Sequence, residues 1–201
     1  CIHFLVGALV YAFSLQFLQS PALRAGAATP EQRQVVAMLA TAIWLLHPLH
    51  VSTVLYAIQR MAQLSSLFVM AGLVIFCHYR LRWAKSGAST GELVAAFLWL
   101  MMLMLLATLS KENGALLPWL IAVVEISLFR GEWRGRANPQ LARAGLAVFI
   151  LPLVLVGVVL LFFPEVITGR YIGRDFSLSE RLLTQSRILW RYLGWLVLPD
   201  I

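Results

Sequence analysis

The run from Leu93 to Leu109, LVAAFLWLMMLMLLATL, decides the fold: it contains no charged residue and stops against the polar turn Ser110-Lys111-Glu112-Asn113. A bilayer's hydrocarbon core is crossed by about 20 apolar residues in a helix. Lipid offers nothing to pair with peptide groups, so a helix that satisfies its own amides is the form such a run takes. Working outward, five further runs have the same character: Ile2 to Leu18, Val35 to Leu49, Ala62 to Tyr79, Ala115 to Phe129 and Leu146 to Phe163. Several fall short of the nominal length, which bilayer thinning, snorkelling or packing in a bundle accommodates. Composition agrees, with 61% apolar and 12% charged residues against roughly 45–50% and about 25% in soluble domains. The expected fold is all-α, a polytopic transmembrane bundle of about six spans, in a single domain over 1–201.

The loops between these runs differ in charge. Arg24 and Arg33 lie in the first, Arg80, Arg82 and Lys85 in the third, and Arg130, Arg134, Arg136 and Arg143 in the fifth. The second offers Arg60 and the fourth Lys111, a bias of nine cations against two. By the positive-inside rule the odd loops face the cytoplasm and the even loops, with the C-terminal tail, face outward. The net charge of +7 is thereby explained by membrane orientation and gives no reason to expect nucleic acid, since the cations sit in short loops rather than on one surface. Cys1 and Cys77 fall near opposite ends of the bilayer, too far apart for a disulfide. From Ser177 the pattern becomes a surface helix. Ser177 and Glu180 have capping-box spacing, Glu180, Thr184, Arg187 and Arg191 share a face, and Leu182, Leu189, Leu193 and Leu196 lie elsewhere. An amphipathic helix at the outer interface is expected.

This topology brings His47, His50, Arg60, Lys111, Glu112, Arg170 and Arg174 to one side, together with the polar face of the last helix. Ionisable groups near a bilayer need partners, water or a task, so they form the candidate substrate-binding set. His47-Pro48-Leu49-His50 spaces two imidazoles for a relay or a metal, or simply ends a helix at Pro48. With no Cys or carboxylate nearby in sequence, no metal set is assigned. Arg60 suits a phosphate by its bidentate geometry and equally suits a snorkelling anchor. Lys111 and Glu112 either neutralise each other and cap helices or hold an anion and orient a hydroxyl. Glu125 approaches the cytoplasmic end and is expected to pair near Arg130 or to snorkel. There is no phosphate-cradling glycine loop, nucleophile elbow or zinc-protease motif.

Leu46-His47-Pro48-Leu49-His50-Val51, the following Gln59-Arg60-Met61-Ala62-Gln63-Leu64-Ser65-Ser66-Leu67-Phe68, and Leu109-Ser110-Lys111-Glu112 come in that order along the chain. Together they resemble the membrane part of the transmembrane and tetratricopeptide-repeat O-mannosyltransferases and their bacterial relatives. His3 with its apolar helix and the stretch from Phe176 to Pro199 look like bacterial members as well. The family is similar to GT-C glycosyltransferases, which use polyprenyl-phosphate sugars on the periplasmic or luminal face. The resemblance implies a GT-C-like fragment whose donor is a polyprenyl-phosphate-linked sugar and whose acceptor is a protein or glycan, with no covalently bound cofactor and divalent-metal use left open. It places Arg60 and Lys111 at the carrier phosphate, His47, His50 and Glu112 around the sugar, and membrane lipid around the bundle. The setting it implies is a bacterial inner membrane with the active face toward the periplasm. The family's acidic catalytic loop precedes the helix that Ile2 to Leu18 resembles, so the catalytic base is expected upstream of Cys1, and tetratricopeptide repeats are expected after the membrane region. The piece alone is expected to be inactive. Two other classes share the hydrophobicity: a transporter or lipid-carrier flippase, which would carry ionisable or broken segments near the midplane, and a non-catalytic assembly subunit.

Overall fold

A computed structural model describes residues 1–23, 28–163, 165 and 177–197. The described chain is almost entirely helical: α1 (Ile2–Leu18), α2 (Pro30–Leu46), α3 (Val51–Leu55), α4 (Arg60–Ser86), α5 (Thr90–Ser110), α6 (Leu117–Val124), α7 (Pro139–Phe162) and α8 (Leu178–Val197). A two-stranded hairpin, β1 (Glu132–Trp133) and β2 (Arg136–Ala137), is the one departure among the described residues. Each expected run falls on a helix. Four helical segments are long and apolar enough to cross a membrane: Ala57–Ser86, Thr90–Ser110, Glu112–Phe129 and Pro139–Val159. A fifth arises if α2 and the following Pro48–Leu55 segment, bent by 48°, count as one span, while α1 is a shorter apolar helix. The chain divides into two compact units, Cys1–Phe149 and Ile150–Ile201.

Several helices begin a turn before their apolar runs, because the cap and not the hydrophobicity sets the start. Thr29 caps α2 by accepting from the Gln32 amide at 3.3 Å, and Gln32 accepts from the Thr29 amide at 2.9 Å. Ser89 and Glu92 repeat this reciprocal arrangement at α5, satisfying amides that have no intrahelical partner. In the second unit, Glu180 accepts from the Ser177 amide at 2.7 Å and donates its own amide to the Ser177 hydroxyl at 3.3 Å. The backbone amide of Ser177, and then its hydroxyl, hold the Glu180 carboxyl below its ordinary range.

Within the first unit α4 is the central helix, packed against α1, α5 and α6. The core contains Leu73, Cys77 and Ala84 of α4, Leu117 and Val124 of α6, and Leu128 and Phe129 just after it. Close approach depends on small residues, as is usual between membrane helices. A Cβ on Gly72 would lie 2.8 Å from Leu117 Cδ2, and one on Gly114 would collide with the Ala107 carbonyl, so the turn after α5 lies flat on that helix. Large apolar side chains point outward, with Leu39 58%, Phe97 62% and Leu98 60% exposed. Apolar exposure on this scale is foreign to soluble monomers and suits a lipid-facing surface.

The helix following α6 widens into a π turn over Glu125–Phe129 and ends at Arg130 in left-handed backbone, φ 50°. Of pairing and snorkelling, the two roles expected of Glu125 near Arg130, pairing is the one that forms, with Arg80 rather than Arg130. Glu125 instead faces α4 and takes both arms of Arg80, Nε to Oε2 at 2.6 Å and Nη2 to Oε1 at 2.7 Å, while Arg130 points to the exterior. Arg80 is likewise not a loop cation: α4 continues to Ser86 and leaves it 3% exposed. Its Nη2 also donates to the Glu132 carbonyl at 3.1 Å, and its guanidinium lies 4.8 Å from the Phe129 ring centre. The hairpin turn at Arg134-Gly135 has φ of 52° and 72°, both positive as a type I′ turn requires. Its amides donate to the last-turn carbonyls of α4, Arg134 to Trp83 at 3.2 Å and Gly135 to Ala84 at 2.6 Å, so the hairpin caps the helix.

Removing one partner of a buried ion pair strands the other and costs about 3–5 kcal/mol, whereas apolar replacement of both is often close to neutral. Arg80→Leu or Glu125→Leu alone should therefore lower the thermal unfolding midpoint sharply, and the double replacement should recover most of the loss.

Candidate functional site at the histidine end

Pro48 has no amide to donate and forces the residue before it out of helical geometry. His47 is accordingly extended, with ψ 126°, and α2 stops at Leu46. The chain then leaves the α2 axis through a 3-10 turn, Pro48–His50, into the short α3. The Gln63 side-chain amide donates to the Thr53 carbonyl and ties α3 back to α4.

The end of α2 leaves carbonyls without intrahelical donors. His3, in the first turn of α1, supplies one: its Nε2 lies 3.0 Å from the Leu45 carbonyl. A carbonyl can only accept, so His3 carries its proton on Nε2. His47 Nδ1 accepts from the Leu49 amide at 3.3 Å, which leaves Nε2 to bear the proton of its neutral form. The His3 ring stacks on Trp44 with centres 5.0 Å apart and 23° between planes. His50 packs against both, 4.5 Å from Trp44 and 5.2 Å from His3, and lies 6.4 Å from His47. Trp44, His3 and His50 thus form a mutually contacting trio, which His47 joins through His50.

Arg60 is exposed at the first position of α4, and Lys111, with extended backbone, ends α5. Glu112 opens the 3-10 turn that leads into α6. Because α4 and α5 pack side by side in opposite directions, these residues share the end that holds the histidines. Among the described residues, Arg60, Lys111 and Glu112 form no ion pair with one another. Arg170 and Arg174 fall outside the described residues, as does Arg24. No group of three or more His, Cys, Asp or Glu side chains among the described residues is arranged to hold a metal ion.

His3 and Trp44 were absent from the candidate set read from sequence. Trp44 had a local signal, since it precedes His47 by three residues, the spacing of helical neighbours. His3 had none, because its pairing with Leu45 spans 42 positions.

His3→Ala removes a hydrogen bond and a stacked ring, together worth about 1–3 kcal/mol. Its thermal unfolding midpoint should fall, and His3→Gln, which keeps a donor, should fall less.

Comparison of the chain with protein-family models, with curated proteins and with solved structures finds no match.

Proposed function

We propose that this chain serves as membrane region of a polyprenyl-phosphate-sugar-dependent glycosyltransferase, acting on the non-cytoplasmic face and transferring a sugar to a protein or glycan acceptor. The observation that carries the reading is the gathering, at one helical end, of the imidazole–indole cluster with two cations, Arg60 and Lys111, that have no carboxylate partner among the described residues. Guanidinium and ammonium groups at a helix end beside apolar surface match a lipid phosphate, whose charge remains at the interface while its chain enters the bilayer. Exposed Leu55, Tyr56 and Ile58 immediately before Arg60 supply the apolar surface. In the reaction, the bond from the sugar's anomeric carbon to the phosphate oxygen breaks and a bond to the acceptor oxygen forms. The polyprenyl phosphate leaves with the bonding electron pair and takes up the proton that the acceptor hydroxyl releases. Arg60 and Lys111 stabilise the charge that grows on the leaving phosphate, and Glu112, His47 and His50 shape the sugar site.

A lipid-carrier flippase is the second reading. It draws on the π turn at Glu125–Phe129 beside the buried Arg80–Glu125 pair, since π turns inside helices are frequent at functional sites.

The test is sugar transfer by the full-length protein reconstituted with polyprenyl-phosphate sugars. Arg60→Ala and Lys111→Ala should each lower kcat/KM by about tenfold or more while leaving the circular dichroism unchanged. Unaltered kinetics in both variants would remove these residues from the site. Absence of transfer by wild type across several carriers, with carrier movement between leaflets, would favour the flippase.

A further inference from the structure

The 20-residue helix α8 is long enough to cross a bilayer, yet it is not among the segments apolar enough to do so. Its hydrophobicity is one-sided. At about 100° per residue, Leu178, Leu182, Leu189, Leu193 and Leu196 fall within an arc of about 60°, and Leu183 and Trp190 widen it to about 140°. Leu183 is 72% and Trp190 74% exposed, and Leu182 and Leu189 are exposed beside them. The helix therefore carries a broad outward stripe that is apolar along its whole length.

Charge occupies the remaining arc and borders the stripe on both sides. Arg187 follows Leu183 by one turn at one edge, Arg181 lies near the other edge, and Arg191 falls between them on the polar side. The Arg191 guanidinium lies 5.3 Å from the centre of the Trp195 ring, which holds it along the helix. Against these three cations the helix has one acid, Glu180, and that carboxylate is engaged at the helix start by the Ser177 amide and hydroxyl. A stripe of leucine and tryptophan flanked by arginines is the pattern of a helix lying in the plane of a bilayer, with its apolar side among the acyl chains. The arginine stems reach along that side while their guanidinium groups stay at the level of the lipid phosphates.

We propose that α8 docks its leucine stripe on the surface of a bilayer containing anionic phospholipid, and that its arginines select for that charge. Each basic residue near an anionic surface is attracted to it, and the guanidinium fork suits the phosphate of the headgroup. A coiled coil with a second copy fits the stripe less well. The 20 residues of α8 make fewer than three heptads, whereas coiled-coil patterns are sustained over at least about three or four. Leu183 and Trp190 also spread the stripe beyond a narrow coiled-coil seam. The proposal goes beyond the transferase reading and is independent of it, because it involves neither the histidine cluster nor Arg60 and Lys111.

The experiment uses the full chain, carrying Cys1→Ser and Cys77→Ala, reconstituted into vesicles of phosphatidylcholine alone or of phosphatidylcholine mixed with phosphatidylglycerol. A fluorophore is attached at Ser186→Cys, within the apolar arc, or at Thr184→Cys, within the polar one. It is quenched from the lipid by nitroxide-labelled acyl chains and from the water by acrylamide. In mixed vesicles the Ser186→Cys label should be quenched by the nitroxide and shielded from acrylamide, and the Thr184→Cys label should behave in the opposite way. Arg187→Gln and Arg191→Gln should each lower the ratio of docked to undocked helix about fivefold, with circular dichroism unchanged, and omission of phosphatidylglycerol should lower it at least as much. Equal quenching of the two labels overturns the proposal, as does docking that is indifferent to phosphatidylglycerol and to both arginines. Shielding of the Ser186→Cys label from both quenchers overturns it as well, since it assigns the stripe to a protein surface.

Discussion

A peptide group in hydrocarbon has no water to pair with, and this constraint organises the described chain. Regular helices occupy the apolar runs because only they close their own hydrogen bonds there. Irregular backbone is displaced to the ends: the 3-10 turns around His50 and Glu112 at one, the π turn and the Arg134-Gly135 hairpin at the other. Where the π turn strands polar groups, the protein supplies dedicated partners. Arg80 satisfies Glu125 with two bonds, and the hairpin turn returns its amides to the final carbonyls of α4. Since lipid offers no hydrophobic reward for helix association, contact is won by close packing, which is why Gly72 and Gly114 sit where a Cβ would strike a neighbouring helix.

The two ends consequently differ in chemistry. At one, His3 and His50 pack on Trp44 near cations that have no acidic partner among the described residues. At the other, cations dominate, and the buried one is committed to Glu125.

Much of this organisation was legible in the sequence. Apolar runs located every long helix of the first unit, and the Ser177–Glu180 spacing located the start of α8. Their edges were read a turn late at Val35 and Leu93, because hydrophobicity begins inside a helix while Thr29 and Ser89 cap it earlier. Alternation of the spans was enough to bring His47, His50, Arg60, Lys111 and Glu112 to one end. It gave no access to His3, whose partner is 42 positions away, or to Arg80 with Glu125, 45 apart. Pairings of that separation depend on which helices pack together, and periodicity within one helix carries no information about its neighbour. The hairpin was hidden for a local reason: an arginine occupies a positive-φ turn position where asparagine or glycine is the usual signal.

We propose from the distribution of basic residues that the histidine end faces outward and the arginine-rich hairpin faces the cytoplasm. Substituted-cysteine labelling in intact cells tests it most directly, with Cys1 and Cys77 replaced and a single cysteine placed at exposed Glu112 or exposed Arg136. A membrane-impermeant maleimide should label Glu112→Cys in intact cells and Arg136→Cys only after permeabilisation. The reverse pattern, or equal labelling of both positions in intact cells, would contradict the account.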